Sequence, residues 1–551
     1  MKLFLKKIRL ILIKSEIRRL SRLIALDIVV SMLDILFLIL LLFFVAHYTG
    51  RDQSTMPVTW LKPEIISQPV LLFGAFCGLF ALKNFFAYYV IKQQTSYIYS
   101  IAARLAADKL SSYLGGDYQK YVYTDSSVHT RHIHHDAIEF SHHVLRGIQQ
   151  VISQSVLILI ALVPLVIFQP MLSLLLSLVL LPPLFLSALL IRKKLRTLRL
   201  TGRLLYQKLI QYLKEAISGF VESKVYDKKQ FFLGRFNAIQ EKHLQNLADE
   251  QVAQSLPSRL LEVFVVFGLF SLVLIHQYIK SDPDLNIITL GAFAAASYKI
   301  IPGIVKLMNG AAQVRNYWFT VDNLAAGENF SPIEEKDVTV RSVQFADVCF
   351  NFPDKSVLQN LSFDFRSGDM VGISGLSGKG KTTIVNLLLG FLKPDKGTVK
   401  INGNGLAPEL ARRRIAYVKQ QPFFIHDTLL RNITLDDLIP DEEKLKEVLT
   451  VTGLDEVIKK LNDGIHTLIS EAGKNLSGGQ RQRVMLARAL YKDFDVLILD
   501  EPFSELDTEA EVLILEYLRQ VAAEGRIIII ITHNEASLLH CNQELVLNGQ
   551  A

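Results

Sequence analysis

Leu476-Ser477-Gly478-Gly479-Gln480 decides the reading of this chain, because of the stretches on either side of it. Upstream, Gly375-Leu376-Ser377-Gly378-Lys379-Gly380-Lys381-Thr382 has the G-x-x-x-x-G-K-[ST] spacing of a phosphate loop. Downstream, Val496-Leu497-Ile498-Leu499-Asp500-Glu501 reads as an apolar strand ending in two carboxylates. A phosphate loop by itself fits many nucleotide-handling chains. All three stretches in this order are far more restrictive.

The flanks supply the context such a loop needs. Met370-Val371-Gly372-Ile373-Ser374 reads as a strand entering it, and Thr382–Leu389 as a helix leaving it. Gly375, Gly378 and Gly380 let successive backbone N–H groups converge on phosphate oxygens, helped by the positive end of that helix. Lys381 is placed for the β- and γ-phosphates and Thr382 for Mg²⁺, with Ser377 and Thr383 completing the cradle and Lys379 adding a second cation. Asp500 is placed to hold Mg²⁺ through water, and Glu501 to polarise the attacking water as general base.

In this order the motifs resemble the ATP-binding cassette (ABC) superfamily. The resemblance implies ATP and Mg²⁺ as ligands and extends to further positions. Tyr417-Val418-Lys419-Gln420-Gln421-Pro422 resembles the Q-loop, making Gln420 a sensor of Mg²⁺ and water. Ser504-Glu505-Leu506-Asp507 resembles the D-loop, and His533, after Ile527–Ile531, the switch histidine that contacts the γ-phosphate. Phe352 takes the place of the aromatic that stacks on adenine, where Tyr is usual and any π-face serves. Glu471-Ala472-Gly473 resembles a segment used for cross-talk with the membrane half. The signature Ser477-Gly478-Gly479-Gln480 belongs to the ATP site, with Ser477 and Gly479 touching the γ-phosphate held by the opposite subunit. One chain then cannot complete a site, which implies a homodimer or a second half-transporter as partner. Two positions depart from the family pattern: Lys379 stands where Ser is usual, and Glu505 where a small residue is commoner. The chain ends at Ala551, soon after Glu544–Leu547, where many cassettes continue.

Outward from this region the composition changes. At 551 residues the chain needs at least two domains, and its 50% hydrophobic content and mean hydropathy of +0.29 average over two unlike halves. Long apolar runs reach to about Leu324; from about Ser331 the chain reads as an ordinary α/β protein. The net charge of +7 is concentrated at predicted membrane edges, which fits anionic lipid head groups, and no nucleic-acid motif accompanies it. Cys77, Cys349 and Cys541 lie far apart without metal spacing and read as small buried hydrophobes.

Six stretches are long and apolar enough to span: Asp27–Ala46, Pro69–Ile91, Val151–Phe168, Met171–Ile191, Leu260–Tyr278 and Ile287–Met308. Residues 92–146 and 192–259 are rich in Lys and Arg, while the opposite loops carry only Arg51, Lys62 and Lys280. Positive-inside then puts the N-terminus, both long connectors and the ATPase half in the cytoplasm. Residues 1–25 read as a basic amphipathic helix lying on the cytoplasmic membrane face, rather than a cleaved signal.

The connectors resemble the intracellular extensions of ABC exporters, with short coupling helices expected around Gly115–Tyr121 and Ser218–Lys224, where glycine interrupts the pattern. His129, His132, His134, His135, His142 and His143 cluster in the first connector and read as an exposed polar face rather than a metal site.

The expected fold is therefore a six-helix membrane domain of ABC exporter type followed by an α/β P-loop NTPase domain. Its parts are the basic helix at 1–25, the membrane domain at 26–324, a linker at 325–339 and the cassette at 340–551. The resemblance implies an ATPase coupled to outward transport, multi-pass in a bacterial-type inner membrane. A gated channel on this fold usually shows decayed catalytic residues, whereas Lys381, Gln420, Asp500, Glu501 and His533 are present; a soluble cassette ATPase would lack the spans. Pro257–Glu262, Asp227–Phe232 and Ala294–Pro302 look like bacterial lipid-linked oligosaccharide flippases, though Lys299 stands where Arg is usual; a drug, peptide or general lipid exporter is the alternative. Asp34 and Lys83 inside spans, and Arg259, Glu262 and Lys299 near span ends, either pair with one another or meet an anionic cargo head group.

Overall fold

Where the sequence carries long apolar runs the chain forms long helices. The computed structural model describes residues 2–48, 69–116, 118, 122, 126–168, 170–278, 287–325, 338–352, 355–376, 378–403, 408, 411–435 and 439–547. Contacts divide it into two units, Met1–Leu114 with Ser126–Glu328, and Gly115–Asp125 with Asn329–Ala551. The predicted linker falls almost wholly outside the described residues, as do the loops carrying Arg51, Lys62 and Lys280.

The first unit is helical: Lys14–Tyr48, Pro69–Leu114, the run 126–168, Pro170–Ser218, Lys229–Tyr278 and Ile287–Asn316 contain the six predicted spans. Among the described residues, Lys14–Leu41, Val70–Leu114 and Val128–Val163 are long and apolar enough to cross a membrane. Helices of 46, 49 and 50 residues, at about 1.5 Å per residue, run more than twice the ~30 Å of hydrocarbon, so they extend well past it. Val70, Phe73, Phe85, Leu159, Ile167, Phe267 and Phe270 are all exposed, as side chains meant for lipid should be. At the tip of the second connector, Gly219 separates Pro170–Ser218 from the short helix Phe220–Val225, and Asp227 turns the chain in a left-handed conformation.

Several expectations for this unit are corrected. Residues 1–25 are not one helix: Lys2–Ile11 ends before Lys14–Tyr48 begins. Much of their apolar stripe packs on protein. Ile8, Ile11, Leu12, Leu20, Leu23 and Ile24 are buried with Tyr97, Ile101, Phe140 and Val321, because protein side chains offer that stripe a closer-packed partner than head groups do. The histidine cluster is only partly exposed. His132 contacts the fully buried Asp136 at 2.7 Å, His142 meets Tyr99 Oη at 2.8 Å, and His143 stacks on Tyr317 at 3.8 Å, so the run packs against neighbouring helices. No metal-ligating group of three or more residues occurs among the described residues. Cys77 is exposed on its helix; Cys349 and Cys541 are half-buried. Lys83 is buried in an ion pair with Asp34, its ammonium 4.6 Å from the Phe80 ring centroid, and Arg259 pairs with Glu262 at 3.1 Å.

The second unit holds two sheets. β1 (Ser342–Phe352) sits between β2 (Lys355–Arg366) and β4 (Lys396–Ile401) in an antiparallel sheet, where Phe345, Phe363 and Phe365 stack in series at 4.3 Å. The parallel sheet runs β5 (Ile415–Val418), β6 (Val496–Asp500), β7 (Ile527–Ile531), β3 (Met370–Ser374) and β8 (Gln543–Val546). Every residue of β6 and β7 is buried. Covered on both faces, these strands have no solvent side for polar residues, hence their unbroken apolar runs. Tyr118, from the first predicted coupling segment, belongs to this unit and stacks on Phe391 at 4.7 Å.

Candidate nucleotide site

Strand order assembles the site. In the parallel sheet β5, β6, β7 and β3 are adjacent, and each of their C-terminal ends releases one of the predicted segments. Asp500 pairs with Ile531, so Glu501 and His533 leave the sheet side by side; Ile373 pairs with Ile531 from the other flank and leads into the phosphate loop. Val418 pairs with Leu499, which puts Gln420 just beyond β5, exposed.

The loop runs from β3 into the helix Lys381–Leu388. Gly380 caps that helix at φ +99°, and a β-carbon there would lie 2.8 Å from Leu358, so the close approach of β2 also demands glycine. Thr382 is exposed on the first turn and Thr383 is buried in it; Lys379 is exposed. Ser377 lies outside the described residues. Phe352 ends β1 opposite Lys355, its ring 5.0 Å from Phe350 and perpendicular to it.

Charged groups converge here. Lys381 Nζ donates to the Gly375 carbonyl at 2.6 Å and lies 2.6 Å from His533 Nε2, which is 3.6 Å from Glu501 Oε1. Burial holds the Lys381 ammonium below the usual lysine value, against the pull of Glu501 and Asp500. Asp500 is held above the usual carboxylate range, first by burial and then by the Glu501 charge. Tyr417, whose hydroxyl donates to Asp500 Oδ2 at 3.4 Å, works against that shift, and burial pushes the Tyr417 hydroxyl itself up. Tyr417 stands in the Gln420 stretch, and its contact with Asp500 is not legible from that motif.

The signature residues stand apart. Ser477 caps the helix Gly478–Tyr491 in a reciprocal capping box with Gln480. Among the described residues no hydrogen bond or ion pair joins Ser477, Gly478, Gly479 or Gln480 to the phosphate loop. Their link to the carboxylate strand runs through Gln482, whose Nε2 donates to Ser504 Oγ at 2.6 Å and whose Oε1 accepts from Glu505 N at 2.8 Å.

Residues 358–504 match the family model described as ABC transporter. The second unit carries an ABC transporter domain. Beyond this cassette, the chain is 32% identical over 376 residues to an ATP-dependent lipid A-core flippase of Burkholderia thailandensis, covering 65% of this chain and 62% of the flippase. It is also 37% identical over 213 residues to a putative export ATP-binding/permease protein of Rickettsia typhi, covering 38% of this chain and 37% of that protein. The chain thus aligns with less than two thirds of the length of these curated relatives. Its fold matches a bacterial Atm1-family ABC exporter solved with ATP bound, at a TM-score of 0.78 and 21% identity, over 96% of this chain and 94% of that one. The fold is that of an ABC exporter, a helical membrane domain fused to a cassette.

Proposed function

We propose that this chain is one subunit of an ATP-driven exporter that moves an amphipathic lipid outward across a bacterial inner membrane. The observation that carries the ATPase half is the meeting of Lys381, His533, Glu501 and Asp500 at the C-terminal ends of adjacent parallel strands. Lys381 binds the β- and γ-phosphates, and Phe352 offers its ring to adenine. The exposed Thr382 hydroxyl, the Asp500 carboxylate and Gln420 are hard oxygen donors of the kind Mg²⁺ takes. Held there, Mg²⁺ would neutralise part of the phosphate charge. Glu501 orients and deprotonates the attacking water, with His533 beside it to steady the γ-phosphate.

The separation of the signature from its own phosphate loop supports a site shared between two copies, each presenting Ser477–Gln480 to the nucleotide of the other. The names of the flippase relatives support a lipid as cargo, and a lipid-linked glycan is the finer form of that reading. Lys83 is already paired with Asp34, which weighs against it as the cation that meets an anionic head group.

The test is direct. Glu501→Gln should retain ATP binding and lose turnover by about 10²-fold or more, the usual size of a general-base contribution. Lys381→Ala should weaken nucleotide binding instead. Wild-type turnover in Glu501→Gln would overturn the base assignment, and a head-group-resolved flipping assay in proteoliposomes tests the cargo.

A further inference from the structure

The acid in the loop after Glu501 sits on the signature of its own chain. The capping box at the start of Gly478–Tyr491 uses the N–H groups of Ser477, accepted by Gln480 Oε1 at 2.9 Å, and of Gln480, accepted by Ser477 Oγ at 3.3 Å. The N–H groups of Gly478 and Gly479 belong to the open first turn of the helix, the positive end of its dipole, where an anion is favoured. Glu505 occupies that ground. A β-carbon on Gly478 would lie 1.3 Å from Glu505 Oε2, and one on Gly479 would lie 2.8 Å from the Glu505 carbonyl oxygen. Neither glycine could carry a side chain with the loop so placed.

Two neighbours keep it there. Gln482 bridges Ser504 and Glu505, and Arg481 Nη2 lies 3.9 Å from Glu505 Oε2. The Glu505 side chain is nevertheless 53% exposed, so it is held on one side only and has solvent to swing into. The signature is also the surface that the proposed function assigns to the phosphate of a second copy's ATP. A carboxylate and a phosphate bring like charges to one short helix end, where each disfavours the other.

We propose that Glu505 is a resident anion on the signature, which the nucleotide phosphate of the opposite copy must displace, so that this side chain sets the ATP concentration at which the shared site forms. A small residue at this position would leave the signature open. Glu505 is a positioning residue rather than a catalytic one, and the inference rests on the reading of the signature as half of an ATP site.

The full-length chain in detergent or nanodiscs, with ATPase rate followed against ATP concentration, provides the test. Glu505→Gln, which keeps the shape and removes the charge, should lower KM for ATP roughly two- to fivefold, the worth of one carboxylate at a helix N-terminus, with kcat changing less. Glu505→Asp, a methylene shorter, should fall between Gln and wild type. In a Glu501→Gln background, where hydrolysis does not intervene, the ATP concentration for half-maximal dimer formation should drop by the same factor on adding Glu505→Gln. Unchanged or raised KM and dimerisation midpoints, in variants that still turn over or dimerise, overturn the role of Glu505 and leave the ATPase reading standing. Absence of both turnover and ATP-driven dimerisation in the wild type overturns the ATPase reading and this inference with it.

Discussion

Glu501, the proposed base, leaves β6 through a strained backbone. Its φ of +50° is uncommon for a residue with a β-carbon, and its N–H is fixed to the Ile531 carbonyl at 2.9 Å, so the turn off β6 is held from both sides. That turn brings its carboxylate beside His533. Asp500, one residue earlier, stays in the sheet and feels burial instead. Because the Tyr417 hydroxyl favours the ionised Asp500, Tyr417→Phe should raise the Asp500 pKa further. If Asp500 holds Mg²⁺ as a carboxylate, as proposed, the acid limb of the pH–rate profile should move to higher pH, as measured by kcat/KM for ATP across the acid range. Lys83 and Asp34 pose a different question. Removing one partner leaves a charge stranded in a span, so Lys83→Met should cost about 3–5 kcal/mol. The double variant Lys83→Met/Asp34→Asn should recover most of the lost thermal stability in detergent. Equal losses in the single and double variants would show that the pair is not the reason for the burial of Lys83.

At the scale of elements, the N-terminal helix shows how one pattern admits two outcomes. A basic amphipathic stripe serves equally well on a membrane surface or on a protein groove, and hydrophobic periodicity does not distinguish them. The groove lined by Tyr97, Ile101, Phe140 and Val321 decides it here. Ile8→Ala should therefore cost about 2–3 kcal/mol, read from thermal unfolding in detergent, as a buried truncation does. Lys7→Ala, which breaks the half-exposed ion pair with Asp322 at 2.7 Å, should cost less than ~1 kcal/mol. The histidine run was misread for a related reason. Its polar side chains suggest solvent, yet His132 meets the buried Asp136 one turn along, and His142 and His143 meet Tyr99 and Tyr317 on helices distant in sequence. The strands of the cassette were easier. β6 and β7 read as continuous apolar runs and proved wholly buried.

At the scale of the whole molecule, the prediction is complementation between copies. A chain disabled in its phosphate loop (Lys381→Ala) and a chain disabled in its signature (Ser477→Arg) should each be inactive alone and regain part of the ATPase when mixed. Their mixed dimer holds one intact phosphate loop facing one intact signature. If both lesions are placed in one chain and mixed with wild type, every mixed dimer should be dead at both sites. Activity in those mixed dimers would mean that each chain completes its own site. The two-unit plan, the long helices and the motifs were all legible in the sequence, because each depends on local spacing: loop glycines and apolar runs. Tertiary structure alone decided what contacts over long sequence separations decide. It gave Lys83 to Asp34, the N-terminal stripe to a helix groove, Tyr417 to Asp500 and Glu505 to Gly478. A residue type states what a side chain is able to bind; only the packed chain selects which of several suitable partners lies within reach.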